Sequence, residues 1–235
     1  VSFVGLDSQT NLQKVIEFCK NVEIGKNGYN AEVSVLYSEG RAGLENRYPT
    51  YDTCMKYLEE LSFSGVYGSV HLCGKEAIDK FLNGDTKLVE LTGNAYRIQL
   101  NFNINHYEVE TLTNTLIELA KTSHYEFIIQ YNESKKEFCK ILKDKITSVQ
   151  MKQLHHNFTF LHDASGGLGK VIDVIPAMEE FFFTGYAGGI NPSNVAEILN
   201  KIETSSWNTD NRPYYIDMES GVRKKDWFDM RLCEQ

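Results

Sequence analysis

Asp163 ends the apolar run NFTFLHD and stands directly before Ala-Ser-Gly-Gly. A carboxyl held at the end of an apolar strand keeps its proton more readily and can act as a general acid. The competing role is a turn cap. His71 and Cys73 close a second run, SVHLCG, and alternate by two, so their side chains share one strand face. A His beside a thiol could supply a base or a thiolate. The plainer role is a hydrogen-bonded core His with Cys as a small buried filler. His71, Cys73, His162 and Asp163 raise a metal site as an option. No spacing of two or three His is present, so no metal is expected, and no cofactor either. His155-His156 reads as a solvated loop.

Glycine clusters at three places late in the chain: Gly166-Gly167-Leu168-Gly169, Gly188-Gly189 and Ser220-Gly221. Glycine lets backbone amides approach a ligand closely, and helix N-termini add partial positive charge. Three such loops side by side could surround one phosphate, although each is also compatible with an ordinary tight turn. Arg223 and Glu219 flank Ser220-Gly221. The arginine could clamp an anion bidentately or form a surface ion pair. Arg47, before Tyr48-Pro49, is the preferred substrate-anion contact, whereas Arg41 reads as solvated. Gln99 and Asn101 end another run and are read as substrate contacts. Asp7 reads first as a helix N-cap.

These residues need elements to position them. Eight short β-branched or aromatic runs recur about every 30 residues: 1–6, 31–37, 67–72, 95–101, 126–131, 157–163, 181–187 and 214–218. Between them lie apolar residues at helical spacing, among them Leu12, Val15, Ile16 and Cys19, and Val195, Ile198, Leu199 and Ile202. Asn191-Pro192 reads as an N-cap followed by proline at the first helical position. Strands separated by helices favour a parallel sheet. Eight such units in 235 residues fit a single-domain (β/α)8 barrel spanning 1–235, with a doubly wound sheet as the alternative. The sixth unit fits worst, because about ten residues (170–180) are left for its helix and Pro176 lies inside. In a barrel the candidate residues fall at strand ends, on the face where barrels do chemistry.

Composition narrows the partners. With 24 Lys+Arg against 32 Asp+Glu the net charge is −8, which argues against nucleic acid and anionic membranes. A local pocket could still bind a small phosphorylated or anionic molecule. No apolar stretch approaches the roughly 18 residues of a spanning helix. No signal peptide is visible, and five scattered Cys without a CxxC suggest reduced thiols, so a cytoplasmic location is expected. The sequence does not set an oligomeric state.

The last third resembles phosphoribosylanthranilate isomerase, a (β/α)8 barrel of tryptophan synthesis. HDASGGLGKVID is similar to that family's Asp-Ser…Gly-Gly-Thr-Gly segment. GYAGGINPSNVAEIL resembles Ala-Gly-Gly-Leu-x-Pro-x-Asn-Val, and IDMESGVRKKD resembles Asp-Val-x-Ser-Gly-Val-Glu…Lys-Asp. More loosely, NRYPT and IQLN resemble segments after strands two and four. The chain is also similar, over nearly its whole length, to a bacterial isomerase-like branch lacking the catalytic Cys. That branch shares the motifs at Glu45 to Thr50, His71 to Gly74, Ile98 to Asn101, Asp163 to Gly167 and Ile216 to Glu219.

The resemblance implies an Amadori rearrangement of a phosphoribosylamine. It implies Asp163 as general acid, and phosphate contacts from Gly167, Gly169, Gly188, Gly189, Ser220 and Gly221. It implies Arg47 on the substrate carboxylate. The family's basic Cys falls at Val4, which cannot take a proton, and its His after strand four falls at Asn101. The base is therefore unassigned, with His71 the first replacement and Asp7 the second. The expected function is a barrel binding a small sugar phosphate or phosphoribosyl ligand, with acid–base isomerisation. The alternative is a ligand-binding barrel that kept the phosphate site and lost the chemistry. A barrel with only an interaction role has no specific signal.

Overall fold

Runs rich in Val, Ile, Phe and Tyr form strands because such side chains pack well on a pleated surface. In the computed structural model all eight do so: β1 Ser2–Leu6, β2 Glu32–Tyr37, β3 Tyr67–Cys73, β4 Arg97–Asn101, β5 Glu126–Tyr131, β6 Phe158–Asp163, β7 Phe183–Ala187 and β8 Tyr214–Met218. They pair in parallel, each with its sequence neighbours, and β8 closes on β1. The structure describes residues 1–24, 30–123, 125–148, 152–163, 174–208 and 212–235.

Among the described residues, seven helices lie between the strands: α1 Leu12–Ile24, α2 Tyr51–Phe63, α3 Lys75–Leu82, α4 Thr86–Gly93, α5 Val109–Thr122, α6 Lys136–Thr147 and α7 Val195–Glu203. A two-stranded hairpin, β9 Arg223–Lys224 with β10 Trp227–Phe228, and a last turn, α8 Met230–Cys233, follow β8. Between β6 and β7 the described residues 174–182 contain no helix, where Pro176 and the short sequence had weakened the expectation. There Tyr186 Oη donates to the Pro176 carbonyl at 3.0 Å, which ties the segment to β7.

The two faces of each strand differ. Outward residues such as Val33, Val70, Ile98, Phe127 and Phe160 join the helix residues Leu58, Phe81, Leu116 and Leu142 in one apolar layer. Inward residues are largely polar. On the barrel floor Arg97 is buried and pairs bidentately with Glu32, Nε at 2.7 Å and Nη2 at 2.9 Å. Ser69 Oγ donates to Glu32 at 2.9 Å, and Glu126 lies 3.6 Å from Arg97 Nη1. The guanidinium also sits 4.4 Å from the centre of the Tyr215 ring. Burial opposes ionisation of Glu32, yet Arg97 holds its carboxyl below the usual range.

This floor generates a stability prediction. Arg97→Met leaves Glu32 buried without its cation, and removal of one partner of a buried pair costs about 3–5 kcal/mol. Urea unfolding is expected to show a loss of that size. A loss below about 1 kcal/mol would mean that the pair does little for the barrel.

Candidate functional site

The C-terminal ends of the strands surround an open cavity of about 600 Å³. Three groups of side chains face each other across it. Arg41, Arg47 and Tyr48 come from the loop after β2. Cys73, Gln99, Asn101, Phe102 and Gln130 come from β3 to β5 and their ends. Leu161, Asp163, Gly188, Gly189, Asp217, Glu219 and Ser220 come from the last three units.

The loop after β2 folds back on itself. Ala42 N donates to the Ser38 carbonyl at 2.9 Å, and Gly43 N to the Tyr48 carbonyl at 2.8 Å. Arg41 lies 3.9 Å over the Tyr48 ring, so it lines the cavity and is not the solvated residue expected. Arg47 Nη1 donates to Glu219 Oε1 at 2.8 Å, and Arg47 also pairs with Asp226 between β9 and β10. The preferred anion contact is therefore held at the cavity by two carboxylates.

Parallel register places the acids. Asp163 pairs with Ala187, and Ala187 with Asp217, so both carboxyls sit in one row on either side of a small residue. Two strand spacings separate their backbones by roughly 9–10 Å. Asp163 is 4% exposed and Asp217 is 8% exposed. Burial pushes the Asp217 carboxyl up to about 7, and the nearby Glu219 carboxylate adds to the rise. Burial also raises Glu219, against the opposing charge of Arg47. One carboxyl of the mouth thus exchanges its proton near neutrality.

The turn after β7 is built for backbone contact. Gly188 and Gly189 adopt φ of 118° and 61°, which side chains with a Cβ rarely allow. The Gly189 carbonyl accepts from Asn191 Nδ2 at 3.0 Å and Asn194 Nδ2 at 2.9 Å. This corrects the expected helix start. Asn191 Oδ1 accepts from Ser193 N at 2.9 Å and so shapes a turn, while α7 begins at Val195 after Asn194.

Of the expected site residues, the structure brings Asp163, Arg47, Gln99, Asn101, Glu219, Gly188, Gly189 and Ser220 to this one cavity. Gly167 and Gly169 lie outside the described residues. Four others lie off the lining. His71 is buried between Leu36 and Gln99 in the sheet, and burial lowers its pKa to about 4, so it stays neutral. Asp7 is fully buried. Its oxygens accept from Phe228 N at 2.6 Å, Gln9 N at 3.1 Å and Arg223 Nη2 at 3.2 Å. It shapes the turn before α1 and is not free to take a substrate proton. Arg223 is spent on Asp7, the Gly5 carbonyl at 2.6 Å and the Asp226 carbonyl at 2.7 Å. It braces the β1 bulge and leaves no fork for a ligand. Gly221 is a packing glycine, because a Cβ there would overlap the Ile190 carbonyl.

Val4 is fully buried in an apolar cluster with Leu36, Tyr48 and Cys73. Burial pushes the Cys73 thiol up to about 11, so it is protonated there. His155 packs against Phe181 and Phe182 on the far side of the barrel. No group of three or more His, Cys, Asp or Glu that could hold a metal occurs among the described residues. No described helix is long and apolar enough to cross a membrane. Asp217, Arg41 and Gln130 also line the cavity; the sequence places Asp217 and Gln130 at strand ends and Arg41 in the loop after strand two, without giving any of them a role in the site. The available signal for Asp217 was its place two residues before Glu219, on the same inward face of β8.

No protein-family model matches the chain. One stretch of 78 residues is 38% identical to the N-(5'-phosphoribosyl)anthranilate isomerase of Chlorobium phaeovibrioides, covering 28% of this chain and 32% of that protein. The chain thus matches about a third of that relative's length. Among solved structures, a monomeric form of the phosphoribosylanthranilate isomerase of Thermotoga maritima aligns with TM-score 0.52 and 14% identity. That alignment covers 97% of this chain and 90% of the other. A phospho-2-dehydro-3-deoxyheptonate aldolase of Thermotoga maritima aligns with TM-score 0.56 and 11% identity, over 100% of this chain and 66% of its own. The chain is a (β/α)8 barrel like phosphoribosylanthranilate isomerase.

The Asp217 shift makes stability depend on pH. The folded pKa, about 7, lies above the unfolded value near 3.8, so ionisation favours the unfolded chain. The penalty is absent below pH about 4 and grows as pH rises towards 7. Asp217→Asn is expected to match the parent protein at pH 3 and to gain on it progressively between pH 4 and 8 in urea unfolding. Parallel curves at every pH would show that Asp217 ionises normally.

Proposed function

We propose that the chain binds a small sugar phosphate or phosphoribosyl compound at the barrel mouth and transfers protons on it with Asp163 and Asp217. The row Asp163–Ala187–Asp217, placed beside the Gly188-Gly189 turn, carries this reading. Backbone amides at the ends of β7 and β8, with the Ser220 hydroxyl, supply neutral donors for a phosphate. Arg41 and Arg47, from the loop after β2, supply positive charge at the same cavity. The names of the similar proteins point the same way, one an isomerase of a phosphoribosyl compound and the other a phospho-sugar-acid aldolase.

An Amadori rearrangement needs one proton delivered to the ring oxygen, which opens the ring to an iminium at the anomeric carbon, and one removed from the neighbouring C2, which gives the enolamine that becomes the ketone. Asp163 takes the acid role. Asp217 takes the base role that Val4 leaves empty, since a group titrating near neutrality can both accept and return a proton. The two carboxyls flank Ala187 in one row, so a five-carbon sugar laid across that row meets both.

A second reading rests on the Val4 cluster. A mouth lined here by Leu36 and a protonated Cys73, with Val4 buried behind them, offers no base on this side and holds a ligand without completing that rearrangement.

The two are separated by binding and turnover of phosphoribosylanthranilate, followed by calorimetry and by loss of its fluorescence. The parent protein is expected to turn the compound over. Asp163→Asn is expected to slow turnover by about 100-fold or more with binding retained. Arg47→Ala is expected to weaken binding about tenfold. Binding without turnover establishes the second reading. Failure to bind any phosphate ester at millimolar concentration rejects both.

A further inference from the structure

On the β4–β5 side of the mouth, two glutamine amides have their donor and acceptor ends fixed by their neighbours. We infer that Gln99 and Gln130 form a subsite that reads a hydroxyl group on the carbon chain of the phosphorylated ligand, with Lys135 as its positioning residue. The inference rests on the phosphate-ester reading of the mouth and names what the rest of that ester must carry.

Lys135 follows β5 in a single turn, Glu133–Lys135, and is 4% exposed. Its ammonium donates to Gln130 Oε1 at 3.0 Å and lies 4.3 Å over the Phe102 ring. An ammonium has three donors and no acceptor, so the amide oxygen must be the end that meets it. The end of Gln130 left for the cavity is Nε2, a donor.

Gln99 is fixed from the other direction. The protonated Cys73 thiol contacts the His71 carbonyl at 3.5 Å and accepts from Asn101 Nδ2 at 3.3 Å. Asn101 therefore turns its Oδ1 to Gln99, whose Nε2 donates to it at 2.8 Å. Gln99 Oε1 is left as an acceptor. It belongs to a side chain 3% exposed that lines the cavity, and it has no hydrogen-bond partner.

The wall thus offers one donor and one buried acceptor. A hydroxyl satisfies both, giving its hydrogen to Gln99 and accepting from Gln130. An aromatic ring or an alkyl chain satisfies neither, and an anion cannot donate to Gln99. A site built to bond a hydroxyl discriminates strongly against analogues lacking one, because its polar atoms then stay unpaired.

Calorimetry with inorganic phosphate, ribose 5-phosphate and n-butyl phosphate tests this. The expected result is that ribose 5-phosphate binds the parent protein at least tenfold more tightly than butyl phosphate. Lys135→Met brings that ratio towards one while inorganic phosphate binds as before, and Lys135→Arg, which still donates to Gln130, keeps the ratio high. Gln99→Leu lowers the ratio independently, should Lys135→Met fail to fold. Equal binding of the two esters by the parent protein overturns the inference, as does a ratio that survives both Lys135→Met and Gln99→Leu. If neither inorganic phosphate nor butyl phosphate binds, the phosphate reading fails by itself. The subsite is then read with ribitol against pentanol: shifts of the Gln99 and Gln130 side-chain amide NMR signals with ribitol alone support it, and their absence overturns it.

Discussion

A guanidinium on the floor of a closed barrel must be neutralised where it stands. Arg97 meets Glu32 bidentately, with Ser69 on the same carboxylate, Glu126 beside it and the Tyr215 ring against it. Five strands meet in this one network. A slip of one residue in any of them would carry a charged or polar side chain into the apolar helix layer. The network therefore ties register to electrostatics, in a fold whose interior is more commonly filled by branched aliphatics. Ser34, His71 and Gln99 continue the polar column upwards, and Asp217 ends it at the mouth. Burial in this column keeps His71 neutral and keeps a proton on Asp217 near pH 7.

At the mouth the same constraint acts on the arginines. The hairpin after β8 places Asp226 between Arg47 and Arg223, and it does so with positive φ at Lys225 and Asp226, 52° and 64°. Non-glycine residues in that region carry strain. Here the two arginines hold the carboxylate that the turn presents. The two cations nevertheless end differently. Arg223 also meets Asp7 and the Gly5 carbonyl and is enclosed, whereas Arg47 keeps its face on the cavity.

That difference shows what sequence could and could not supply. The strands were legible because each is a short run carrying β-branched or aromatic residues, separated from the next by a helical or loop segment. Asp163 was legible because an acid closing such a run points to the mouth. Asp7 and Asp217 look alike by that rule, since both are carboxylates at strand ends. Their fates separate through Arg223, which lies 216 residues from Asp7 in the chain and meets it only after the barrel closes. Local pattern carries no trace of that contact. The start of α7 failed for a local reason, because Asn191 satisfies the Ser193 amide in a turn and leaves the helix to begin at Val195. His71 failed through register, because alternation gives the face of a strand but not the depth along it.

The proposed phosphate site requires negative groups to be kept from the anion, and the acids of the mouth are muted by position and by protonation. Glu219 is held by Arg47. Asp217, deep in the wall, loses much of its charge near neutrality. The Gly189 carbonyl of the Gly188-Gly189 turn is occupied by two asparagine amides, so this oxygen is not an open acceptor at the cavity. Lys135, buried without a carboxylate in salt-bridge contact among the described residues, adds positive charge behind Gln130. The lining sets Arg41 and Arg47 against Asp163, Asp217 and Glu219, so most of the net charge of −8 lies away from the mouth. Within an effective interaction range of about 8–10 Å in salt, the local arrangement decides what binds.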